Sequence, residues 1–471
     1  MTQNRNRFAL LKWLCCAAIA GLSLVPLPAL AWWNGSWSYR EKITINAGPT
    51  GAGLASDASR TAMLVRLHDG NFKFSDAKDD GSDLRFVDAD DKTPLKFHIE
   101  SYDGVIGMAF VWVDIPALKA GGTTDIYVYY GNTNAPVGAD SAGTYDADTA
   151  LVYHFAERNA PPRDTTANAN NATSPALSAD NGLIGRDARF DGGNSIGLPA
   201  SPSLAVTAGG PWTWSAWVKA AGAGNGTLYA RHDGPNGLVI GLNQGKPYVE
   251  VTANGNQSQA AAPDAVTPDA WHHIAVSASN QITLYVDGKP AATLAAAMPA
   301  LNSTASLGSD NGATNFSGEM DELEIAKTAR SAGFIQAAVA GEGPNSQMVT
   351  MGQEEENGGL SGGYFGVILR SVTIDGWVVI CILMVMAVIS ITVMANKARY
   401  ITRVAKANAK FLTWFEEANY DVRRLEALAA VESVNEMDAS VLYHICDAGS
   451  AELAKRMGRD TQLSLTPQAV A

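Results

Sequence analysis

Apolar and polar residues alternate along most of the first 350 positions, and the period changes only in the last quarter of the chain. From Trp32 to about Tyr145, "YREKITIN" sends Tyr39, Ile43 and Ile45 to one side, as a half-buried strand does. "LRFVDADDKTPLKFHIESYD" predicts a hairpin, two alternating strands around the acidic turn Asp88–Asp91. "MAFVWVDIPAL" and "DIYVYYGN" add strands rich in β-branched and aromatic residues. No helical period of useful length interrupts them, so this stretch predicts a compact all-β domain.

The register resets around Asp146, and a second set of strands follows over 150–350. "ALVYHF", "ARFDGGNSIGL", "PWTWSAWVKA", "NGLVIGL", "WHHIAVSASNQITLYVDGKPAATL" and "FSGEMDELEIA" appear in that order. "LYVDGKPAATL" carries an Asp-Gly hairpin turn between alternating runs. Many short strands joined by Gly-rich turns predict a β-sandwich.

The period then shifts. Trp377 to Ala395 contains 19 residues without a charge, and at about 1.5 Å per helical residue this spans about 29 Å, the thickness of a hydrocarbon core. Ile401, Val404, Phe411, Leu412 and Phe415 keep helical spacing beyond it, which predicts that the helix continues as an amphipathic rod. At the other end, Arg5, Arg7 and Lys12 precede the apolar stretch Leu14–Leu27, and Ala29 and Ala31 supply the small residues of a cleavage site after Ala31. That is a secretory signal. Lys397, Arg399, Arg403, Lys406 and Lys410 follow the late span, against Arg370 and Asp375 before it. Basic residues stay on the cytoplasmic side, so the β-domains are expected outside and the tail inside.

Charge and cysteines narrow the picture. Residues 32–395 hold 21 Lys and Arg against 37 Asp and Glu, a net charge of −16, whereas 396–471 hold ten of each. An acidic exported surface argues against nucleic acid and against anionic lipid as partners. Cys15, Cys16, Cys381 and Cys446 all lie outside the exported domains, so hydrophobic cores rather than disulfides must stabilise these.

Three resemblances follow. The opening "WWNGSWSYR" and the closing "DIYVYYGN" are similar to an uncharacterised bacterial exported β-domain family. The Asp164 loop, "FDG" at 190–192, "WSAWVK" at 214–219, "WHHIAV" at 271–276, "YVDG" at 285–288 and "DELEI" at 321–325 resemble the LamG-like, concanavalin A-like jelly-roll family. "GGYFGVILRSVTIDGWVVICILMVMAVIS", the basic helix after it and "AELAKRMGRDTQLSLTPQAVA" resemble the first part of the MotA/TolQ/ExbB proton-channel family. The expected fold is mainly β. Its order is a signal peptide (1–31), an exported β-domain (32–145), a LamG-like jelly roll (146–353), a linker (354–374), a transmembrane helix (375–396) and a cytoplasmic helical region (397–471). The channel resemblance implies an inner-membrane energising subunit, homo-oligomeric and paired with an ExbD/TolR-like small membrane protein, that holds a periplasmic glycan or protein ligand. The competing expectations are a simple tethered receptor and a tethered glycosidase.

Candidate chemistry concentrates in the sandwich. His272 and His273 are neighbours on a strand and point to opposite faces, so they cannot share one ion; His272, on the face of Ile274 and Val276, is expected in the core. "EMDELE", Glu319–Glu324, resembles the acidic strand of concanavalin A-like glycosidases. A retaining pair stands about 5–5.5 Å apart on one face. On a regular strand Glu319, Asp321 and Leu323 share a face, so Glu324 joins them only through a bulge. A catalytic role is therefore not expected, and the module is read as a binding module. Trp212 and Trp214 are expected in the core with Val218, and Trp217 is expected to pack on the other face. The family resemblance implies calcium held at Asp164 and Asp321. The Asp88–Asp91 turn is expected to be a solvated hairpin tip.

Overall fold

The computed structural model describes residues 32–180, 182–344, 346–357, 373–418 and 438–457. It divides between Gly366 and Val367 into two compact units. The expected signal peptide and the end of the tail lie outside the described residues.

Unit one contains both β-domains. The first domain is built from β1 (Tyr39–Asn46), β2 (Thr61–His68), β3 (Arg85–Asp88), β4 (Pro94–Leu95), β5 (Phe97–Asp103), β6 (Met108–Ile115) and β7 (Thr123–Tyr130). The second follows with β8 (Thr149–Tyr153), β9 (Leu177–Ala179), β10 (Asp187–Asp191), β11 (Ile196–Leu198), β12 (Trp212–Ala220), β13 (Gly226–Asp233) and β14 (Asn236–Asn243). It continues with β15 (Lys246–Ala253), β16 (Asn256–Ala261), β17 (Trp271–Ala278), β18 (Ile282–Val286), β19 (Lys289–Leu294), β20 (Ala305–Leu307) and β21 (Ser317–Ala326). Helix α1 (Ala332–Glu342) and strand β22 (Val349–Glu356) complete the unit.

The first domain packs a sheet of order β22-β1-β7-β3-β4 against a sheet of order β2-β6-β5. Ile43, Ile45, Val65, Phe86, Phe97, Val111, Val113, Ile126 and Val128 fill the space between them, as period-two alternation requires. The chain changes sheets between Leu95 and Phe97, so the predicted hairpin is shorter than its sequence pattern. Asp91 does not sit at a solvated tip. It takes a left-handed conformation (φ 53°), is buried, pairs with Arg40 and accepts a hydrogen bond from the Tyr129 hydroxyl. A buried guanidinium needs a counter-ion, and Asp91 supplies it.

A second correction concerns the end of the expected jelly roll (146–353) and the first residues of the expected linker (354–374), of which 358–372 lie outside the described residues. Val349–Glu356 is an edge strand of the first domain, antiparallel to β1 with Tyr39 opposite Glu356 and Ile45 opposite Val349. Its glutamates have partners. Glu355 pairs with Arg40, Glu354 with Lys73, and the Tyr130 hydroxyl donates to Glu354. The jelly roll is thus inserted between β7 and β22 of the first domain.

In the second domain, one sheet has the order β19-β18-β17-β12-β21-β10-β9, with β8 also pairing β21. The other has the order β11-β20-β13-β14-β15-β16. Trp212, Trp214, Val218, Leu228, Leu238, Ile240, Val249, Ile274, Val276, Leu284 and Leu307 form the core between them. Each fully buried side chain of this kind contributes about 1.5–3 kcal/mol. The two domains share a seam where Leu64 and Trp112 of the first pack on Ile184 of the second. Helix α1 is capped by the Ser331 hydroxyl, which accepts from the Phe334 N–H. It lays Phe334 and Ala337 into the first domain's core.

Unit two begins with helix α2 (Ile374–Glu417), 44 residues without a break. It is the one helix in the described residues long and apolar enough to cross a membrane. It runs on past the apolar stretch through the basic segment, as its spacing predicts. Helix α3 (Val441–Met457) packs on its far end, where Phe411, Trp414 and Phe415 meet Tyr443 and Cys446. Ser440 donates to the Asn408 side chain and accepts from the Tyr443 N–H, fixing the start of α3.

Candidate functional site

The acidic strand β21 does carry a bulge. Ser215 of β12 stands opposite Glu324 and Trp217 opposite Asp321, so two residues of β12 span three of β21. Glu322 takes the left-handed conformation at this point (φ 49°). Glu319, Asp321 and Glu324 consequently face the same way as Lys219, Trp217 and Ser215. Around Ser215, Trp217 and Glu324 that face is covered by the first domain and by α1, while Lys219 and Glu319 stay partly exposed. Trp217 is buried and donates its indole N–H to Glu342 Oε2 at 2.7 Å. Glu319 pairs with Lys219 and Glu324 with Arg330. Between the domains there remains a cavity of about 30 Å3, lined by Thr61, Trp112, Tyr145, Ser215, Glu322 and Glu342 among others. It holds about one or two waters and no sugar ring.

The bulge aims Glu322 into this seam. His154, the residue after β8, places Nδ1 2.8 Å from Glu322 Oε2 and 3.7 Å from Glu100 Oε2. Glu100 comes from β5 of the first domain and accepts the Trp112 indole N–H at 2.8 Å. On the far side of the ring, His154 Nε2 lies 3.1 Å from His98 Nε2 and 3.1 Å from the Tyr145 hydroxyl. One ligand atom each from Glu100, His154 and Glu322 lies within 4.8 Å of the others, the only such set of His, Cys, Asp or Glu among the described residues. Burial pushes the Glu100 carboxyl up to about 8, with the Glu322 charge adding to it. Burial also raises Glu322 well above the usual carboxyl range and holds His98 and His154 below the usual histidine range. Arg66 is the cation that faces Glu342, Glu322, Glu100 and Asp321 together. Its guanidinium donates to the carbonyls of Gly341 and Glu342 at the end of α1.

Of the residues singled out from sequence, Asp164 lies apart from this set and Asp321 beside it. Asp164 accepts four hydrogen bonds, from the N–H groups of Val152, Thr166 and Asn170 and from the Thr166 hydroxyl. They fasten its loop to β8. Asp321 is fully buried and accepts from the N–H groups of Ile184 and Glu322. The structure assembles no three-ligand set around either carboxylate among the described residues. The histidine pair is reversed relative to expectation. His272 is partly exposed and pairs with Asp287 at 2.8 Å, whereas His273 is buried against Trp217, because the first domain covers that face. Glu100, His154 and Glu322 were missed. "FHIE" and "VYHF" each put a polar residue on an apolar strand end, but they lie in different domains and sequence alone does not pair them.

The outer face of the other sheet is different in kind. Tyr248 and Glu250 of β15 point away from the core, with Gln259 opposite Glu250. The Tyr248 ring lies over Gly241, where an added Cβ would approach it to 2.9 Å. His232 Nε2 and Asp310 Oδ1 pair at 2.6 Å on the same sheet. Gln257, Ser258 and Gln259 of β16 are exposed.

Residues 190–336 match the family described as the concanavalin A-like lectin/glucanases superfamily, and residues 80–170 match a domain family of unknown function. The second β-domain is concanavalin A-like. Neither match reaches 361–471, so the proton-channel resemblance of that segment gains no support from them. Among solved structures, the chain is similar to domain 4 of AbnA, a GH43 extracellular arabinanase from Geobacillus stearothermophilus in complex with arabinotriose. That likeness has 20% identity and a TM-score of 0.35, covering 41% of this chain and 98% of that one. It is also similar to the binding domain of Paraclostridial Mosquitocidal Protein 1, at 15% identity and TM-score 0.35, covering 41% of this chain and 52% of that one. The receptor binding domain of botulinum neurotoxin D gives 14% identity and TM-score 0.34, with 41% and 53% covered. The chain thus spans about half the length of these two toxin domains. No curated protein matches it.

Proposed function

We propose that this protein is a single-pass membrane receptor that holds a glycan-binding β-domain pair outside the membrane. Its ligand-binding surface is the outer face around Tyr248, Glu250 and Gln259. The observation that carries this reading is the contrast between the two faces of the jelly roll. The carboxylate-rich face is sealed against the first domain, and the face with the flat-lying Tyr248 is open. A tyrosine ring beside carboxylate and amide groups suits a sugar, whose C–H faces stack on the ring while its hydroxyls hydrogen-bond to the rim. The superfamily description of residues 190–336 supports the same ligand class. The basic flank of α2 supports an outside-to-inside span in an inner membrane.

A second reading places the receptor in a TolQ/ExbB-like energising complex with an ExbD/TolR-like partner. The length of α2 beyond its apolar stretch and its packing with α3 favour it, since a bare anchor needs neither. Both readings share the binding surface. The test is a screen of the full chain, purified in detergent, against immobilised polysaccharides. Binding that is lost in Tyr248→Ala at unchanged melting temperature is the expected result. Binding that survives both Tyr248→Ala and Glu250→Ala, or is absent for every glycan, overturns it. Co-purification of a small single-span protein with the tail decides the second reading.

A further inference from the structure

We propose that Glu100, His154 and Glu322 bind one divalent transition-metal ion of the zinc class, and that this ion staples the first β-domain to the jelly roll. The geometry is close to what such an ion requires. Zinc binds His nitrogen and carboxylate oxygen at about 2.0–2.2 Å, so two ligand atoms of a tetrahedral site stand about 3.3 Å apart. His154 Nδ1 stands 2.8 Å from Glu322 Oε2 and 3.7 Å from Glu100 Oε2, distances on either side of that value. Glu322 Oε1 is buried without a hydrogen-bond partner in this set.

Charge points the same way. Two buried carboxylates face one imidazole, and Arg66, the guanidinium that interacts with them, is shared with Glu342 and Asp321. A dication makes the Glu100–Glu322 pair neutral without a second buried cation. Outer contacts are also those of a metal site. With Nδ1 as the ligand, the Nε2–H of His154 donates toward His98 Nε2, and the Trp112 indole orients Glu100. The adjoining cavity of about 30 Å3, which Glu322 lines, has room for a water as fourth ligand. Calcium fits poorly, because it takes six to eight oxygen ligands and this set offers a nitrogen and two carboxylates. Because Glu100 belongs to one domain and His154 and Glu322 to the other, the ion adds a cross-link at the seam, and the cavity at its water position is too small for a sugar ring. Binding through Nδ1 needs a neutral His154 with its proton on Nε2 and displaces any proton shared by the carboxyls, so affinity falls in acid.

The experiment uses the full chain in detergent. Elemental analysis after incubation with zinc and gel filtration should find one equivalent per chain. A strong chelator should remove it and lower the melting temperature, and zinc, but not calcium, should restore both. Cobalt in place of zinc should give the strong visible absorption of a four-coordinate site with a nitrogen ligand. Glu100→Gln and Glu322→Gln should each lose the metal and the zinc-dependent rise in melting temperature. Should those variants fail to fold, the chelation cycle and the cobalt spectrum of the parent still decide. A parent chain that retains no stoichiometric metal, or glutamine variants that retain it fully, overturn the proposal in favour of a proton shared between Glu100 and Glu322.

Discussion

Arg330 is the most informative single residue of the seam. Its side chain is 4% exposed and pairs with Asp146 at 2.6 Å. It also donates to the Thr149 hydroxyl at 2.7 Å and to Glu324 Oε1 at 3.2 Å, and its guanidinium carbon lies 4.3 Å from the centre of the Phe334 ring. One side chain therefore joins the inter-domain connection, β21 and α1. Arg330→Met keeps the aliphatic stem and removes the charge, leaving Asp146 and Glu324 without their cation. Breaking a buried pair in this way costs about 3–5 kcal/mol. A cooperative unit of about 320 residues unfolds with an entropy of about 0.7 kcal/mol/K, so the melting temperature should fall by about 4–7 °C. Tryptophan fluorescence of the full chain during heating reads this directly, since Trp217 and Trp112 lie at the seam. Asp146→Asn combined with Arg330→Met should recover part of the loss, because one of the two stranded charges is then gone. A single variant within about 1 °C of the parent, or a double variant that loses the sum of both singles, would refute the account of the seam.

Two further outcomes are expected. With chelator present, stability should fall as pH rises from about 6.5 to about 8. Burial pushes Glu342 up to about 8 and Glu41 up to about 7, so in this window the native state holds protons that the unfolded chain has already released. His98, His154 and His273, all lowered by burial, oppose this only below the ordinary histidine value. Glu342→Gln should flatten the slope, and a slope unchanged in that variant sinks the assignment. Asp164→Ala should cost about 3 kcal/mol by stranding backbone donors, equally in calcium and in chelator. A calcium-dependent rise in the parent's melting temperature that the variant abolishes would instead support an ion there.

Alternation and turn residues made both sandwiches legible, because every strand with one buried face repeats its apolar positions at period two. The late apolar run was legible for the same local reason. What escaped notice depends on contacts distant in sequence. Glu354–Glu356 look like the start of an acidic linker until β1 supplies Arg40, and Lys73 and Tyr130 approach them from elsewhere in the same domain. Asp91 looks like a turn residue until Arg40 and Tyr129 enclose it. His273 looks exposed until another domain is laid on its sheet. The bulge at Glu322 has no local signature either, since nothing in "EMDELE" marks the left-handed residue, and Glu is a poor choice for that conformation. Its cost is met by the surrounding structure, which is where strained non-glycine residues concentrate.

The insertion changes what the anchor is attached to. Both covalent connections of the jelly roll run into the first domain, one through β7 and β8 and the other through α1 and β22. The sandwich is therefore tied to the first domain at both ends, and a load applied to its open face runs along the backbone through α1 to β22. There it meets an antiparallel pairing of β22 with β1, reinforced by Arg40 with Glu355 and Lys73 with Glu354. The seam groups, Arg330 and the Glu100–His154–Glu322 set among them, lie beside this path. The seam fixes the sandwich on the first domain, which gives a physical reason for concentrating so many buried charges in one interface.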